Sequence, residues 1–149
     1  MLGMNQAIDN GVDIWYAINN MGYEHSRNQV YLLNYHFVWC PKRRRKVLVG
    51  NVAQRLREIL EQVAMEKQVK VLALEIQPDH LHLFVSCYPQ VVVHKLVKAF
   101  KGRSSNLLRK EFPSLLRLPS LWTNSYFVST AGNVSSETIR KYIEAQSTI

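Results

Sequence analysis

The sequence predicts a single α+β domain in which a four-stranded antiparallel sheet carries two helices on one face. Three observations predict it: apolar residues alternate with a two-residue period in the first strand-like run, they recur at helical spacing in two longer segments, and a proline-aspartate break separates two short apolar runs. The chain has 149 residues, 47% of them hydrophobic, which suits one domain with a real core.

Each element has its own signal. Residues 31–40 are aromatic and β-branched, with Leu33, Tyr35, Phe37 and Trp39 on one face, and Pro41 ends the strand. Residues 52–68 place Val52, Leu56, Ile59, Leu60 and Val63 at helical spacing, with Arg55, Arg57, Glu58, Glu61 and Lys67 elsewhere, an amphipathic helix. Residues 69–77 and 80–87 are strand-like runs around Pro78-Asp79, which predicts an antiparallel hairpin. Residues 91–112 carry Val93, Leu96, Val97, Phe100, Leu107 and Leu108 among basic residues and stop at Pro113, one long helix or a helix broken at Gly102. Residues 122–129 alternate again as a strand, and Ser135 with Glu137 in the first turn opens a last helix to about Gln146. The order is βαββαβ plus one helix, the split βαβ, ferredoxin-like arrangement. One face of the sheet is left for a ligand or partner, and the last helix is its natural neighbour. Residues 1–29, rich in Asn and Gly, are an extension to a domain over 30–149, and no internal repeat occurs.

Charge and motifs narrow the function. Lysine and arginine total 19 against 11 aspartates and glutamates, a net +8 with pI near 9.7. The three acids Asp9, Asp13 and Glu24 precede the first base, so the chain from Arg27 onward carries +11, which favours a polyanionic partner. No apolar run reaches the roughly 18 residues of a membrane helix, and the N-terminus has no basic n-region or apolar h-region, so a soluble, cytoplasmic protein is expected. Cys40 and Cys87 lie far apart with no CxxC, which argues for reduced, buried thiols rather than disulfides or a cysteine-rich zinc module. Walker, GxGxxG and GxSxG motifs are absent, so nucleotide hydrolysis and serine chemistry have no support.

Four groups of residues can carry chemistry. His80 and His82, two apart on a strand, send their imidazoles from the same face, where two neutral rings can share a divalent cation; a polar sheet face is the plainer alternative. Asp79 beside them suits a turn. Tyr142 and Gln146, four apart on the last helix, share a face. Basic residues gather at 42–46 and along the second helix, namely Lys95, Lys98, Lys101, Arg103, Arg109 and Lys110, and the run of five favours phosphate contacts over a merely solvated loop. Trp39, Tyr35, Tyr126 and Trp122 are candidates for stacking bases on an open sheet, although core packing is the commoner role of strand aromatics. His36 and His94 are assigned structural roles.

The stretches ALEIQPDHLHLFV at 73–85, NYHFVWCPKRRR at 34–45, KGRSS from Lys101 and the ending SYFVSTAGNVSSETIRKYIEAQ resemble the single-tyrosine HUH transposases, the TnpA type of small bacterial insertion sequences. The resemblance spans about residue 30 to the end, in several blocks in the same order. It implies that His80 and His82 bind Mg²⁺ or Mn²⁺ with Gln146 as third ligand. It implies that Tyr142 attacks a single-stranded DNA phosphate to give a 5′-phosphotyrosine and a free 3′-hydroxyl. A phenol of ordinary pKa near 10 is a poor nucleophile at neutral pH, and a metal on the phosphate offsets that weakness. The resemblance further implies a homodimer whose active sites are completed in trans and whose substrates are hairpins at element ends. By analogy Lys42, Arg43, Arg44, Arg45, Lys98, Lys101 and Arg103 hold DNA backbone. Residues 1–29 and the short tail after Gln146 depart from the pattern. Two other functions compete: a non-catalytic basic nucleic-acid-binding module of the same fold, opposed by the intact His80, His82, Tyr142 and Gln146 set, and a replication initiator or relaxase, opposed by the short chain.

Overall fold

The computed structural model describes residues 32–130 and 136–148; the extension expected at residues 1–29 and the start of the last helix expected at Ser135 lie outside them. Strand β1 (Leu33–Trp39) leads through a 3-10 turn (Lys42–Arg44) to helix α1 (Gly50–Glu66). Strands β2 (Lys70–Gln77) and β3 (His80–Cys87) form the expected hairpin, followed by α2 (Val93–Glu111) and a 3-10 turn (Pro113–Arg117). Strand β4 (Phe127–Thr130), α3 (Ser136–Ala145) and a 3-10 turn (Gln146–Thr148) complete the order. The four strands lie β2-β3-β1-β4 with every pair antiparallel, the βαββαβ topology that the sequence predicts.

Strand alternation gives the sheet two unlike faces. Phe37 and Trp39 of β1 and Leu81, Leu83 and Val85 of β3 point into a core shared with Leu56, Ile59, Leu60 and Val63 of α1 and Leu96, Val97, Phe100 and Leu108 of α2. Truncating one of these leucines to alanine costs about 2–5 kcal/mol. A smaller cluster lies apart from this core: Val38 and Cys40 pack against Ile139 and Ile143 of α3, with Phe127 and Tyr142 alongside. The last helix is thus the neighbour of the sheet region around Val38 and Phe127. Both cysteines are free and buried, and burial pushes the Cys40 thiol up to about 12 and the Cys87 thiol up to about 11, so neither is a thiolate at neutral pH. No helix among the described residues is long and apolar enough to cross a membrane.

One expectation is corrected and two that the sequence left open are decided. The last strand starts at Phe127 rather than at residue 122, because Trp122 is drawn into the main core, where its Nε1–H donates to Ser104 Oγ at 3.0 Å; its backbone makes an isolated bridge to Pro41 instead of joining a strand. Helix α2 runs unbroken through Gly102. Trp39 and Trp122 are core residues, 0% and 4% exposed and edge to face at 5.9 Å, so neither offers a face to a base. Tyr35 and Tyr126 also lie against the main core, each partly exposed.

Candidate active site

The alternation that sends Leu81, Leu83 and Val85 into the core turns His80, His82 and Phe84 to the opposite face of β3. His36, on the matching face of β1, lies with its Nε2 2.9 Å from His82 Nδ1, its ring stacked on Phe84 at 4.1 Å. Burial lowers the pKa of both imidazoles, His36 to about 3 and His82 to about 4, with the neighbouring histidine's charge adding to each shift, so both rings are neutral at physiological pH. Perpendicular to His82, with ring centroids 5.1 Å apart, His80 has its Nδ1 2.8 Å from Asp79 Oδ1. The other oxygen of Asp79 accepts from Arg44 Nε at 2.6 Å. Burial pushes the Asp79 carboxyl up, but its hydrogen bonds to His80 and Arg44 and their charges outweigh this and hold it below the ordinary value. Both members of the pair therefore commit Nδ1 to a protein partner and leave Nε2 as the remaining ring nitrogen. That is the arrangement in which a histidine's second nitrogen orients it toward a cation.

The turn that delivers Arg44 is strained. Arg43 and Arg44 both have φ of 55°, a left-handed conformation that costs non-glycine residues roughly 1–2 kcal/mol each. Arg44 is held there by Asp79, whereas the Arg43 side chain is exposed.

Tyr142 and Gln146 meet at one serine. The Tyr142 hydroxyl is 3.1 Å from Ser125 Oγ, and Ser125 donates its own hydrogen to Gln146 Oε1 at 3.1 Å, so the phenol is the donor toward the serine. Gln146 Nε2 donates to the Tyr142 carbonyl at 3.4 Å, which fixes the amide orientation. Burial raises the tyrosine pKa, and its hydrogen bonds to Ser125 and Thr123 oppose this only in part, leaving it a protonated phenol. The segment carrying Ser125 is anchored by Lys101, whose Nζ donates to the carbonyls of Thr123 at 2.7 Å and Ser125 at 2.9 Å. Burial brings this ammonium down to about 8.

The candidate residues thus form two groups, His80 with His82 and Tyr142 with Gln146. No hydrogen bond between described residues joins them. They are neighbours on the sheet, because Val38, the register partner of His82, packs in the cluster with Ile139 and Ile143 of α3. No group of three or more His, Cys, Asp and Glu that could hold a metal is present among the described residues.

The basic candidates divide. Arg44 is spent on Asp79, and Arg103 forms a forked pair with Glu66 at 2.8 and 3.2 Å. Lys101 is spent on the two carbonyls. Arg43, Arg45 and Lys98 are exposed, and Lys42 is half-buried. Sequence reasoning assigned His36 and Asp79 to structure and passed over Ser125, although all three touch a candidate residue. The signal for His36 was available: the period that puts Phe37 and Trp39 in the core puts His36 on the face opposite to it.

With this geometry the chain can be compared with known proteins. Residues 29–146 match the family described as transposase IS200 like. The chain is 39% identical over 134 residues to the ISDra2 transposase TnpA of Deinococcus radiodurans, covering 88% of this chain and 96% of that one. It is 31% identical over 115 residues to the transposase for insertion sequence element IS200 of Salmonella typhimurium, covering 75% of each. Among solved structures it resembles a crystal structure from Deinococcus radiodurans R1 assigned as a transposase, with TM-score 0.77, 38% identity and coverage of 83% and 97%. The fold is also that of a REP-associated tyrosine transposase bound to a REP hairpin, at TM-score 0.50 and 16% identity, covering 81% and 68%. The chain belongs to the IS200-like, single-tyrosine transposase family, and is an enzyme of that class.

Proposed function

We propose that this transposase cleaves and rejoins single-stranded DNA at the ends of an insertion sequence through Tyr142, with the aid of a divalent metal. The observation that carries the reading is the pair His80 and His82, each fixed through Nδ1 by a protein partner and each left with Nε2. With Nδ1–H donating, Nε2 of a neutral imidazole keeps its lone pair, the form that a metal requires. The residues fit such an ion as two imidazole ligands, joined by Gln146 Oε1 once that oxygen is released from Ser125. When bound, Mg²⁺ or Mn²⁺ supplies a Lewis acid that orients the scissile phosphate and offsets its developing charge.

The phenol oxygen of Tyr142 forms the new bond to phosphorus and gives up its proton. The bond from phosphorus to the 3′-oxygen breaks, and that oxygen takes a proton as it leaves. A 5′-phosphotyrosine and a 3′-hydroxyl result. Attack by another 3′-hydroxyl reverses the step, so the phosphodiester energy is kept and no nucleotide is hydrolysed. The enzyme acts in the cytoplasm as a homodimer in which α3 of one subunit serves the histidines of the other. The substrates are hairpin-bearing ends, in keeping with the hairpin held by the REP-associated relative. Exposed Arg43, Arg45 and Lys98 contact the backbone, with half-buried Lys42 beside them.

The test is to incubate the protein with Mg²⁺ or Mn²⁺ and end-labelled single strands from the DNA flanking its gene, then run a denaturing protein gel. A labelled band that migrates with the protein, requires Tyr142 and fails with duplex DNA is expected. Tight binding with no adduct would replace the enzyme by a nucleic-acid-binding module.

A further inference from the structure

Helix α2 faces the segment at residues 122–126 across a cleft of about 300 Å³. Gly102 lines it, in the interior of a 19-residue helix, where glycine costs roughly 1 kcal/mol relative to alanine. Neither backbone nor packing requires this glycine: its conformation is ordinary helix, and a Cβ placed on it would meet nothing within 4 Å. A side chain longer than that of alanine at this position would project into the cleft. His94, Lys98 and Gly102 are spaced four apart, so they form one stripe of α2 along the cleft.

The chemistry of the walls is that of a nucleotide. Lys98 is exposed and forms no ion pair with a described residue, unlike Arg44, Arg55 and Arg103. On the opposite wall are the half-buried ring of Tyr126 and the exposed amide of Asn124, which offers both a donor and an acceptor. Lys101 fixes that wall by its two carbonyl bonds, and its Nζ lies 5.9 Å from the Tyr126 ring centre. Among the described residues no acidic side chain lines the cleft. The same wall carries Ser125, which holds the Tyr142 hydroxyl.

We propose that this cleft seats one unpaired nucleotide of the substrate strand, with its base against Tyr126 and Asn124 and its phosphate at Lys98. The assignment rests on the DNA substrate of the preceding section, and it adds a subsite beside the tyrosine rather than at the histidines. Stacking on an aromatic ring, charge and an amide edge are the elements of single-strand recognition.

Flanking-DNA single strands with 2-aminopurine at successive positions are the probes, and fluorescence is read with the full-length protein. One position should be quenched in the wild type. Gly102→Leu, whose side chain extends toward Lys98 into open space, should abolish that quenching and weaken strand binding about tenfold. Gly102→Ala should bind as the wild type does. Tyr126→Ala should lose the quenching, and circular dichroism checks that all three variants keep the fold. An unchanged quenching pattern and affinity in Gly102→Leu would overturn the proposal while leaving covalent adduct formation through Tyr142 to stand or fall on its own gel. Equal quenching of the free 2-aminopurine mononucleotide would overturn the assignment to a strand.

Discussion

His36 reaches across from β1 to place its Nε2 2.9 Å from Nδ1 of His82, and both rings are buried. The contact makes His36 a positioning residue for the imidazole that faces the candidate metal site. His36→Ala should weaken Mn²⁺ binding by 10- to 100-fold, the usual cost of removing a ligand's orienting partner. Isothermal titration with Mn²⁺ measures it, and undiminished affinity would show that His82 needs no such support.

The same pair predicts how stability depends on pH in metal-free protein. Folded pKa values of about 3 and about 4 lie below the ordinary 6.5 of histidine, so below pH 6.5 the unfolded chain binds protons that the folded chain refuses. Stability is complete above that pH and falls as pH drops from 6.5 toward 4, by up to about 1.4 kcal/mol per pH unit for each ring. Urea unfolding in EDTA between pH 7 and pH 5 tests this; a midpoint independent of pH would contradict it.

Asp79 should matter for more than a turn. Asp79→Ala leaves Arg44 and His80 without their shared partner in a largely buried place, at about 1–3 kcal/mol of stability. Cleavage should slow in the same variant, because His80 loses the group that fixes its ring. Asp79→Asn, which still accepts a hydrogen bond, should retain more of both, and equal losses in the two variants would argue against an orienting role.

Substitutions at the basic residues should separate those spent inside the protein from those facing outward. Arg103→Gln breaks a pair with Glu66 and should leave the salt dependence of DNA binding unchanged. Arg43→Gln and Arg45→Gln should each reduce the log–log salt slope by about one. A slope that falls with Arg103 and holds with Arg43 would reverse the assignment.

The strands, both long helices and the sheet order were legible because burial enforces their periods. The two-residue alternation of Tyr35, Phe37 and Trp39 and the helical spacing of Leu56, Ile59, Leu60 and Val63 survive in the core as the sequence predicts. The start of the last strand was not legible. Trp122 and Tyr126 fit an alternating pattern, but the pull of the core on Trp122 and its bond to Ser104 decide the backbone path, and these depend on α2. At the site, His80 and His82 stand out by spacing and Tyr142 and Gln146 by the family resemblance. Ser125, His36 and the Arg44 to Asp79 link join residues remote in sequence, which no local pattern reports.

Because β3 shows leucines to one side and histidines to the other, the site is bound to the parity of the strand. Removing or adding one residue inside β3 would exchange the faces beyond that point, turning imidazole toward the core or leucine into the open. Such a change destroys fold and site together. Within β3 the identity of a side chain and the face it occupies are therefore set together, so the strand tolerates substitution in place better than a change of its length.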